Sequence, residues 1–169
     1  MSKHKFTLWW IPCAEDLPRL QSVIKSLAHK HSTTAFSPHI TVCSSIEDAG
    51  IAIELGELLA KNIRPFEVVP DCLEHSDAFY RAFTMRLKTN DSLRDARAAC
   101  VAKPGVADKP YLPHLSLMYQ HDTEFDPVVF RQCPDDILRA FEIDRLHLLD
   151  ASGEIEDWQL LRSFALDVK

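Results

Sequence analysis

The stretches SPHITVC, residues 37–43, and LPHLSLM, residues 112–118, follow one pattern at two places in the chain. In each, a proline precedes a histidine, and then an apolar residue, a Ser or Thr and a second apolar residue follow. Residues two apart on a β-strand share a face, so the histidine and the hydroxyl residue point one way and the apolar residues the other. The pattern predicts two strands, each with an apolar face for the core and a polar face that presents an imidazole beside a hydroxyl.

This repeat is more specific than the composition of the chain explains. The pattern His-x-Ser/Thr is expected about once in a chain of this composition, and it occurs four times, at His31, His39, His114 and His121. Requiring the proline and both apolar residues removes His31 and His121 and lowers the expectation to roughly 0.01 per chain. Two chance matches then have a probability on the order of 10⁻⁴.

A structural role is the alternative explanation for each histidine taken alone. An imidazole at the entrance of a strand can be held by a hydrogen bond to the backbone, and a Ser or Thr in a strand needs no functional explanation. The duplication favours chemistry, because cleavage of a phosphodiester needs two groups. One takes a proton from the nucleophile, and the other gives a proton to the leaving oxygen on the opposite side of phosphorus. His39 with Thr41 and His114 with Ser116 are therefore the candidate halves of one phosphate site.

Length, composition and charge limit the class of protein. The chain has 169 residues, 46% hydrophobic and 26% charged, which is typical of one compact globular domain over residues 1–169. The net charge of -6 disfavours long nucleic acid and anionic membranes as partners, while a small phosphate ester or an RNA end stays possible. The apolar run near the N-terminus ends before Glu15, so it predicts neither a signal peptide nor a membrane span. We expect a cytoplasmic monomer.

The five cysteines are spread along the chain without the spacing of a zinc site: Cys13, Cys43, Cys72, Cys100 and Cys133. Their odd number disfavours a disulfide framework, although one bridge stays open as an alternative. We interpret them as reduced thiols of an intracellular protein, each a small buried apolar residue. No metal and no cofactor is expected.

Hydrophobic periodicity predicts an alternation of strands and helices. Strands are expected at residues 5–11, 39–45, 66–76, 79–88 and 114–120, followed by a closing hairpin over 141–166 around a Ser-Gly turn. Helices are expected after Asp16, at Ala49–Asn62 with Gly56 as a weak point, and over residues 90–102. A loop with three prolines, KPGVADKPYLP, leads into the second motif.

The paired motifs, 75 residues apart, resemble those of the 2H phosphoesterase superfamily. Within it, the opening FTLWWIP and the motifs FSPHITVCSSI and YLPHLSLMYQ are similar to the small cyclic phosphodiesterases, which open nucleoside 2′,3′-cyclic phosphates and ADP-ribose 1″,2″-cyclic phosphate. The resemblance covers roughly residues 6–166. It implies a bilobal α+β fold, in which two antiparallel sheets related by a pseudo-twofold axis enclose a cleft, with helices outside.

The resemblance also implies a site and a mechanism. His39 and His114 become the acid and base pair, with His114 favoured as base and His39 as acid, while Thr41 and Ser116 donate to the phosphate oxygens. Tyr119 matches an aromatic residue of the family beside the second motif, provided that a bulge or twist brings it to the face of His114.

An N-terminal aromatic residue of the family is matched by Trp9, which strand alternation places with Thr7 on the face opposite Trp10. The alternative is that Trp9 fills the core. The expected ligand is a small cyclic phosphate. Two other functions stay open: an RNA-end phosphodiesterase or 2′-5′ RNA ligase-like enzyme of the same superfamily, and a module that binds nucleotides without turnover.

Overall fold

The computed structural model describes residues 4–166, which form eight β-strands and three α-helices. The strands are β1 (Phe6–Pro12), β2 (Ile40–Ile46), β3 (Phe66–Val68), β4 (Pro70–His75), β5 (Phe83–Leu87), β6 (His114–Met118), β7 (Phe141–Asp150) and β8 (Gln159–Ala165). The helices are α1 (Leu17–His31), α2 (Ala49–Asn62) and α3 (Asp91–Val101). None of these helices in residues 4–166 is long and apolar enough to cross a membrane.

Two antiparallel groups of strands meet at the motifs. One group has the order β3-β7-β1-β2, with β8 also pairing with β7, and the other has the order β6-β5-β4. The groups join where β2 pairs with β6, and the residues in register there are Ile40 and Leu115. Each directly follows a motif histidine. The two motifs therefore run antiparallel side by side, as a pseudo-twofold relation between the halves requires, and both histidines lie where the two groups of strands meet.

The helices cover the face of the strands that the apolar motif residues point to. Helix α1 packs against β6, α3 packs against β2, and α2 packs against β7 and β1. Because α1 and α3 each cover a strand of the other half, the halves share one apolar core, in which Ile40, Leu115 and Trp10 are fully buried. Burial of this face fixes the register of both motif strands, since a slip of one residue would turn their apolar residues out of the core.

The glycine that weakens α2 in sequence has a packing role. A Cβ on Gly56 would lie 2.6 Å from ring atoms of Phe164 on β8. Gly56 is buried in the middle of the helix, and its missing side chain lets the last strand pack directly against the helix backbone. The close helix–strand contact therefore offsets the low helix propensity of glycine.

Two strand predictions were wrong in extent. The predicted strand 66–76 is divided at Val69 into β3, which pairs with β7, and β4, which pairs with β5 in the other half. In the predicted strand 79–88, the first residues form a 3₁₀ turn over Phe79–Arg81, and only Phe83–Leu87 is extended. The local sequence did not reveal either break, because the pairing partners that decide them are distant in sequence.

The closing hairpin has a longer connection than a Ser-Gly turn. The last pair of β7 and β8 before the loop is Asp150 with Gln159, so eight residues connect the two strands. They include a 3₁₀ turn over Ile155–Asp157. Gly153 does adopt a positive φ of 83°, the conformation that favours glycine. The loop reaches the cleft and contributes Trp158 to its wall.

Candidate active site

A cavity of about 390 Å³ lies between the halves, at the polar faces of β2 and β6. It is lined by all six residues that the sequence indicated: His39, Thr41, His114, Ser116, Trp9 and Tyr119. The structure thus brings together residues that are up to 110 positions apart in sequence. The cavity falls in the size range of small-molecule sites in proteins.

Both histidines are held in the same way. Nδ1 of His39 lies 2.7 Å from the carbonyl oxygen of Ser37, and Nδ1 of His114 lies 2.8 Å from that of Leu112. A carbonyl only accepts hydrogen bonds, so each Nδ1 carries a proton, and the neutral ring keeps its lone pair on Nε2. The proline between the carbonyl residue and the histidine restrains this local loop. The sequence pattern Pro-His therefore encodes an orientation as well as a residue type.

The two imidazoles differ in their surroundings. His39 is 5% exposed, and burial lowers its pKa from 6.5 to about 4, against the opposing effect of the Ser37 hydrogen bond. Burial also lowers the pKa of His114, against the opposing effect of the Leu112 hydrogen bond, and Arg81 lowers it further while Glu74 raises it. His114 is less buried. Desolvation disfavours the charged form in both, and more strongly in His39.

Trp9 faces the cleft, as strand alternation predicts. Its ring stacks on the imidazole of His39, with centroids 3.6 Å apart and an interplanar angle of 11°. Trp10 points into the core. The stacked indole excludes water from one face of His39, which explains part of the desolvation of that histidine.

Tyr119 reaches the cleft through an irregularity at the end of β6. Pairing with β5 shifts register between the partners of Ser116 and Met118, and this shift returns Tyr119 to the polar face. The Tyr119 hydroxyl lies 3.4 Å from Nε2 of His39, so a residue of the second motif touches the histidine of the first. Burial raises the pKa of Tyr119, and the Ser116 hydroxyl beside it opposes that change.

The two motif hydroxyls are engaged differently. Ser116 Oγ donates to the carbonyl oxygen of Tyr80 at 2.8 Å. Thr41 Oγ1 has no hydrogen-bond partner among residues 4–166, although the Thr41 carbonyl accepts from Tyr111. Thr41 can therefore donate to a ligand as it stands, whereas Ser116 must first release Tyr80.

Sequence reasoning missed several lining residues, including two cations. Arg81 and Tyr80 come from the 3₁₀ turn that was predicted as strand, and Lys5 and Trp158 come from segments without a motif. No sequence pattern pointed to them. Within the described part of the chain, no Asp or Glu lines this cavity, although the whole chain has 25 acidic residues. The cleft is thus suited to an anion.

The loop before the second motif is tied to the strand of the first. Arg97 on α3 donates to the carbonyl oxygens of Ala107 and Lys109 at 3.0 and 3.2 Å and stacks over the ring of Tyr111. The Tyr111 hydroxyl in turn lies 3.3 Å from the carbonyl oxygen of Thr41. These contacts couple the position of His114 to that of the first motif.

All five cysteines are free thiols in the structure. Cys43 and Cys100 are buried neighbours, and a hydrogen bond with Cys100 and burial raise the pKa of Cys43, which keeps its thiol protonated. Across residues 4–166, no group of three or more His, Cys, Asp and Glu side chains is arranged to hold a metal ion.

Known proteins resemble the chain in sequence and in fold. A family model for cyclic phosphodiesterase-like proteins matches residues 5–166. A cyclic phosphodiesterase of Arabidopsis thaliana is 25% identical over 126 residues, which are 73% of this chain and 70% of that protein. E. coli LigT complexed with 3′-AMP is 18% identical with a TM-score of 0.63, covering 98% of this chain and 99% of that one.

A second solved structure, TT0787 of Thermus thermophilus, is 15% identical with a TM-score of 0.60 and covers 96% of this chain and 97% of that one. At such identities the two structures show a common fold, and the α+β fold predicted from the resemblance is confirmed. The family match extends over nearly the whole described chain. The chain belongs to the cyclic phosphodiesterase-like protein family of the 2H phosphoesterase superfamily.

Proposed function

We propose that the protein hydrolyses nucleoside 2′,3′-cyclic phosphates to 2′-phosphomonoesters by acid and base catalysis with two histidines. The observation that carries the proposal is the pair of imidazoles lining one cavity, each with Nδ1 bound to a carbonyl, which puts the lone pair of the neutral ring on Nε2. Nε2 of His39 also lies 3.4 Å from the Tyr119 hydroxyl, which a substrate must displace. The name of the Arabidopsis relative and the LigT complexes with 3′-AMP and with phosphate support a nucleotide phosphate as the ligand.

Four side chains carry out the proposed reaction: those of His39, His114, Thr41 and Ser116. One neutral histidine takes a proton from water, which attacks phosphorus in line with a ring P–O bond, and the other histidine, protonated, gives its proton to the departing ribose oxygen. The hydroxyls of Thr41 and Ser116 donate to the equatorial oxygens, where negative charge increases in the transition state. The imidazolium and the hydroxyls supply the positive charge, so we expect the reaction to need no metal ion.

In the unliganded site, the surroundings of the two histidines favour the reverse of the acid and base roles that the resemblance implies. Burial lowers the pKa of both histidines, and His39 is the more deeply buried of the two, so we expect His114 to accept a proton first and His39 to stay neutral. We therefore assign the base to His39 and the acid to His114. Protonated His114 lowers the pKa of His39, so the two titrations are linked and the apparent pKa values belong to the pair.

Leaving-group chemistry tests this assignment. An aryl phosphodiester releases a phenolate that needs little protonation, so loss of the acid matters little for it, whereas loss of the base matters for every substrate. We expect His114→Ala to lose much less activity on the aryl ester than on a cyclic nucleotide, and His39→Ala to lose activity equally on both. The reverse pattern would restore His39 as the acid.

The aromatic wall determines which ribose oxygen leaves. Trp9, Tyr119, Tyr80 and Trp158 line the cavity, and their flat faces can stack on a base or ribose without reading its identity. Held in one orientation, the substrate places its 3′ oxygen beside the acid, and the product is the 2′-phosphate for all four bases. Lys5 also lines the cavity and can pair with a second phosphate, so ADP-ribose 1″,2″-cyclic phosphate is the further substrate that we propose.

A panel of the four 2′,3′-cyclic nucleotides and ADP-ribose 1″,2″-cyclic phosphate, each with and without EDTA, tests the function. We expect turnover in EDTA and, by chromatography against authentic standards, nucleoside 2′-phosphates only. A 3′-phosphate product would show that the substrate pose is wrong, and activity that returns only with Mg²⁺ or Mn²⁺ would show that the mechanism is wrong.

Two other functions have distinct results in the same panel. A nucleotide-binding module binds the product phosphates but converts none of the cyclic substrates. An RNA-end phosphodiesterase or ligase-like enzyme acts on oligonucleotide ends far better than on mononucleotides. The acidic chain favours a small ligand over long RNA, and we propose that it acts as a monomer with the whole chain forming one domain.

A further inference from the structure

Arg81 differs from the other partly buried arginines in having no acceptor. Of the four such residues between positions 4 and 166, Arg19, Arg97 and Arg145 each donate to carbonyl or carboxylate oxygens. The terminal nitrogens of Arg81, unlike those of the other three, have no hydrogen-bond or ion-pair partner within residues 4–166. Its Nε, like those of Arg19 and Arg97, is buried without a partner. A buried donor without a partner costs about 1–3 kcal/mol, so a ligand that satisfies it gains correspondingly.

The backbone around Arg81 is pinned at the cleft. Its N–H donates to the Ala78 carbonyl at 2.8 Å, and its own carbonyl accepts from Ser76 Oγ at 2.9 Å. The preceding residue, Tyr80, accepts the hydroxyl of Ser116. The turn that carries Arg81 is therefore fastened to the second motif, and Arg81 lines the same cavity as His114.

We propose that Arg81 binds the phosphoryl group of the substrate beside His114, with its guanidinium donating to non-bridging oxygens. This inference rests on the proposed function and adds a residue that the paired motifs do not contain. A planar guanidinium matches the oxygen pair of a phosphate and stays charged at every working pH. The absence of carboxylates from the described cavity lining leaves this cation available for a ligand.

The same cation affects the histidine beside it. The charged groups that act on His114 are Arg81, which lowers its pKa, and Glu74, which raises it; Arg86, opposite His114 in register, is paired with Asp71 and Glu74. His114 in turn lowers the pKa of His39. Removing the charge of Arg81 therefore raises the pKa of His114, and the protonated acid persists to higher pH.

Three variants test the proposal: Arg81→Met, Arg81→Lys and, as a control, Arg94→Met. Arg94 is an exposed arginine paired with Asp91 on α3, away from the cavity. For Arg81→Met we expect kcat/KM on 2′,3′-cyclic AMP to fall on the order of 10²-fold, inorganic phosphate to bind at least about tenfold more weakly by calorimetry, and the alkaline limb of the pH profile to move to higher pH.

Arg81→Lys keeps the charge, so its alkaline limb should stay near that of the wild type, and the control should match the wild type in all three measurements. An Arg81→Met protein that folds with an unchanged melting temperature, turns over normally and binds phosphate normally would overturn the proposal. A wild type that hydrolyses no cyclic phosphate would instead overturn the proposed function, and phosphate binding would still decide the role of Arg81.

Discussion

The two motifs have the same local structure in unlike surroundings. Each histidine donates from Nδ1 to the carbonyl two residues earlier, across a proline. His39 is then sealed by the indole of Trp9 and by Tyr119, while His114 is partly open and lies near Arg81 and Glu74. The sequence pattern thus determines the tautomer of each imidazole, and the surrounding elements determine its affinity for protons. Duplicated motifs can in this way perform two different tasks.

The test with the largest expected effect replaces each histidine in turn. We expect His39→Ala and His114→Ala each to lower kcat/KM on a cyclic nucleotide by about 10²–10⁴. The double variant should lose far less than the product of the single losses, because the two groups act as a unit. His121→Ala is the matched control, since His121 starts a His-x-Thr pattern but lies outside the cavity. Near-normal turnover by His39→Ala would return that residue to a structural role.

The next test removes the indole that covers one face of His39. In Trp9→Leu, water reaches the face of His39 that the indole now covers, so the pKa of His39 should rise from about 4 toward 6.5. The acid limb of the pH profile of kcat/KM then moves to higher pH. Loss of stacking should also weaken the binding of all four nucleotides by roughly 1–3 kcal/mol. KM should rise for each of them as a result.

Trp158→Leu serves as the control for this variant. Trp158 lies edge-on to Trp9, with centroids 5.6 Å apart, and has no ring contact with His39. We expect it to change KM and leave the acid limb in place. If the limb of Trp9→Leu also stays in place, the stacked indole is not a cause of the low proton affinity of His39.

A third test measures the low pKa of His39 through its effect on folding stability. The unfolded chain protonates His39 near pH 6.5 and the folded chain only near pH 4, so the unfolded state binds more protons between these values. The free energy of unfolding should therefore fall as the pH drops through this window, by about 2 kcal/mol at pH 5 from this residue alone. Urea unfolding of His39→Gln should lack this part of the decrease, whereas His29→Gln, at an exposed position, should keep it.

The motif faces could be predicted from sequence because strand geometry alone determines them. Trp9 was assigned to the cleft by the same alternation, and the structure places it there. Arg81 could not be found, since its place in the cleft depends on a 3₁₀ turn within an apparently regular strand. The proton affinities were equally out of reach. They arise mainly from burial of both rings, to which the stacking of Trp9 on His39 contributes, and from the charges of Arg81 and Glu74 near His114, and these depend on contacts between distant segments.

The smallest expected effect concerns the tie between the motifs. Tyr111 lies three residues before His114, and its hydroxyl contacts the carbonyl oxygen of Thr41, so it helps to set the distance between the two halves of the site. Tyr111→Phe removes this contact and keeps the ring under Arg97. We expect a loss of about 1 kcal/mol in unfolding free energy.

Catalysis should respond differently from binding in this variant. The site must hold two groups on opposite sides of phosphorus, and small misplacements slow such reactions more than they weaken binding. We therefore expect kcat to fall by roughly fivefold with KM nearly unchanged. Tyr80→Phe is the control for stability, because Tyr80 is exposed and its hydroxyl has no partner within residues 4–166. If Tyr111→Phe lowers stability while kcat stays normal, the loop before His114 supports the fold without positioning the acid.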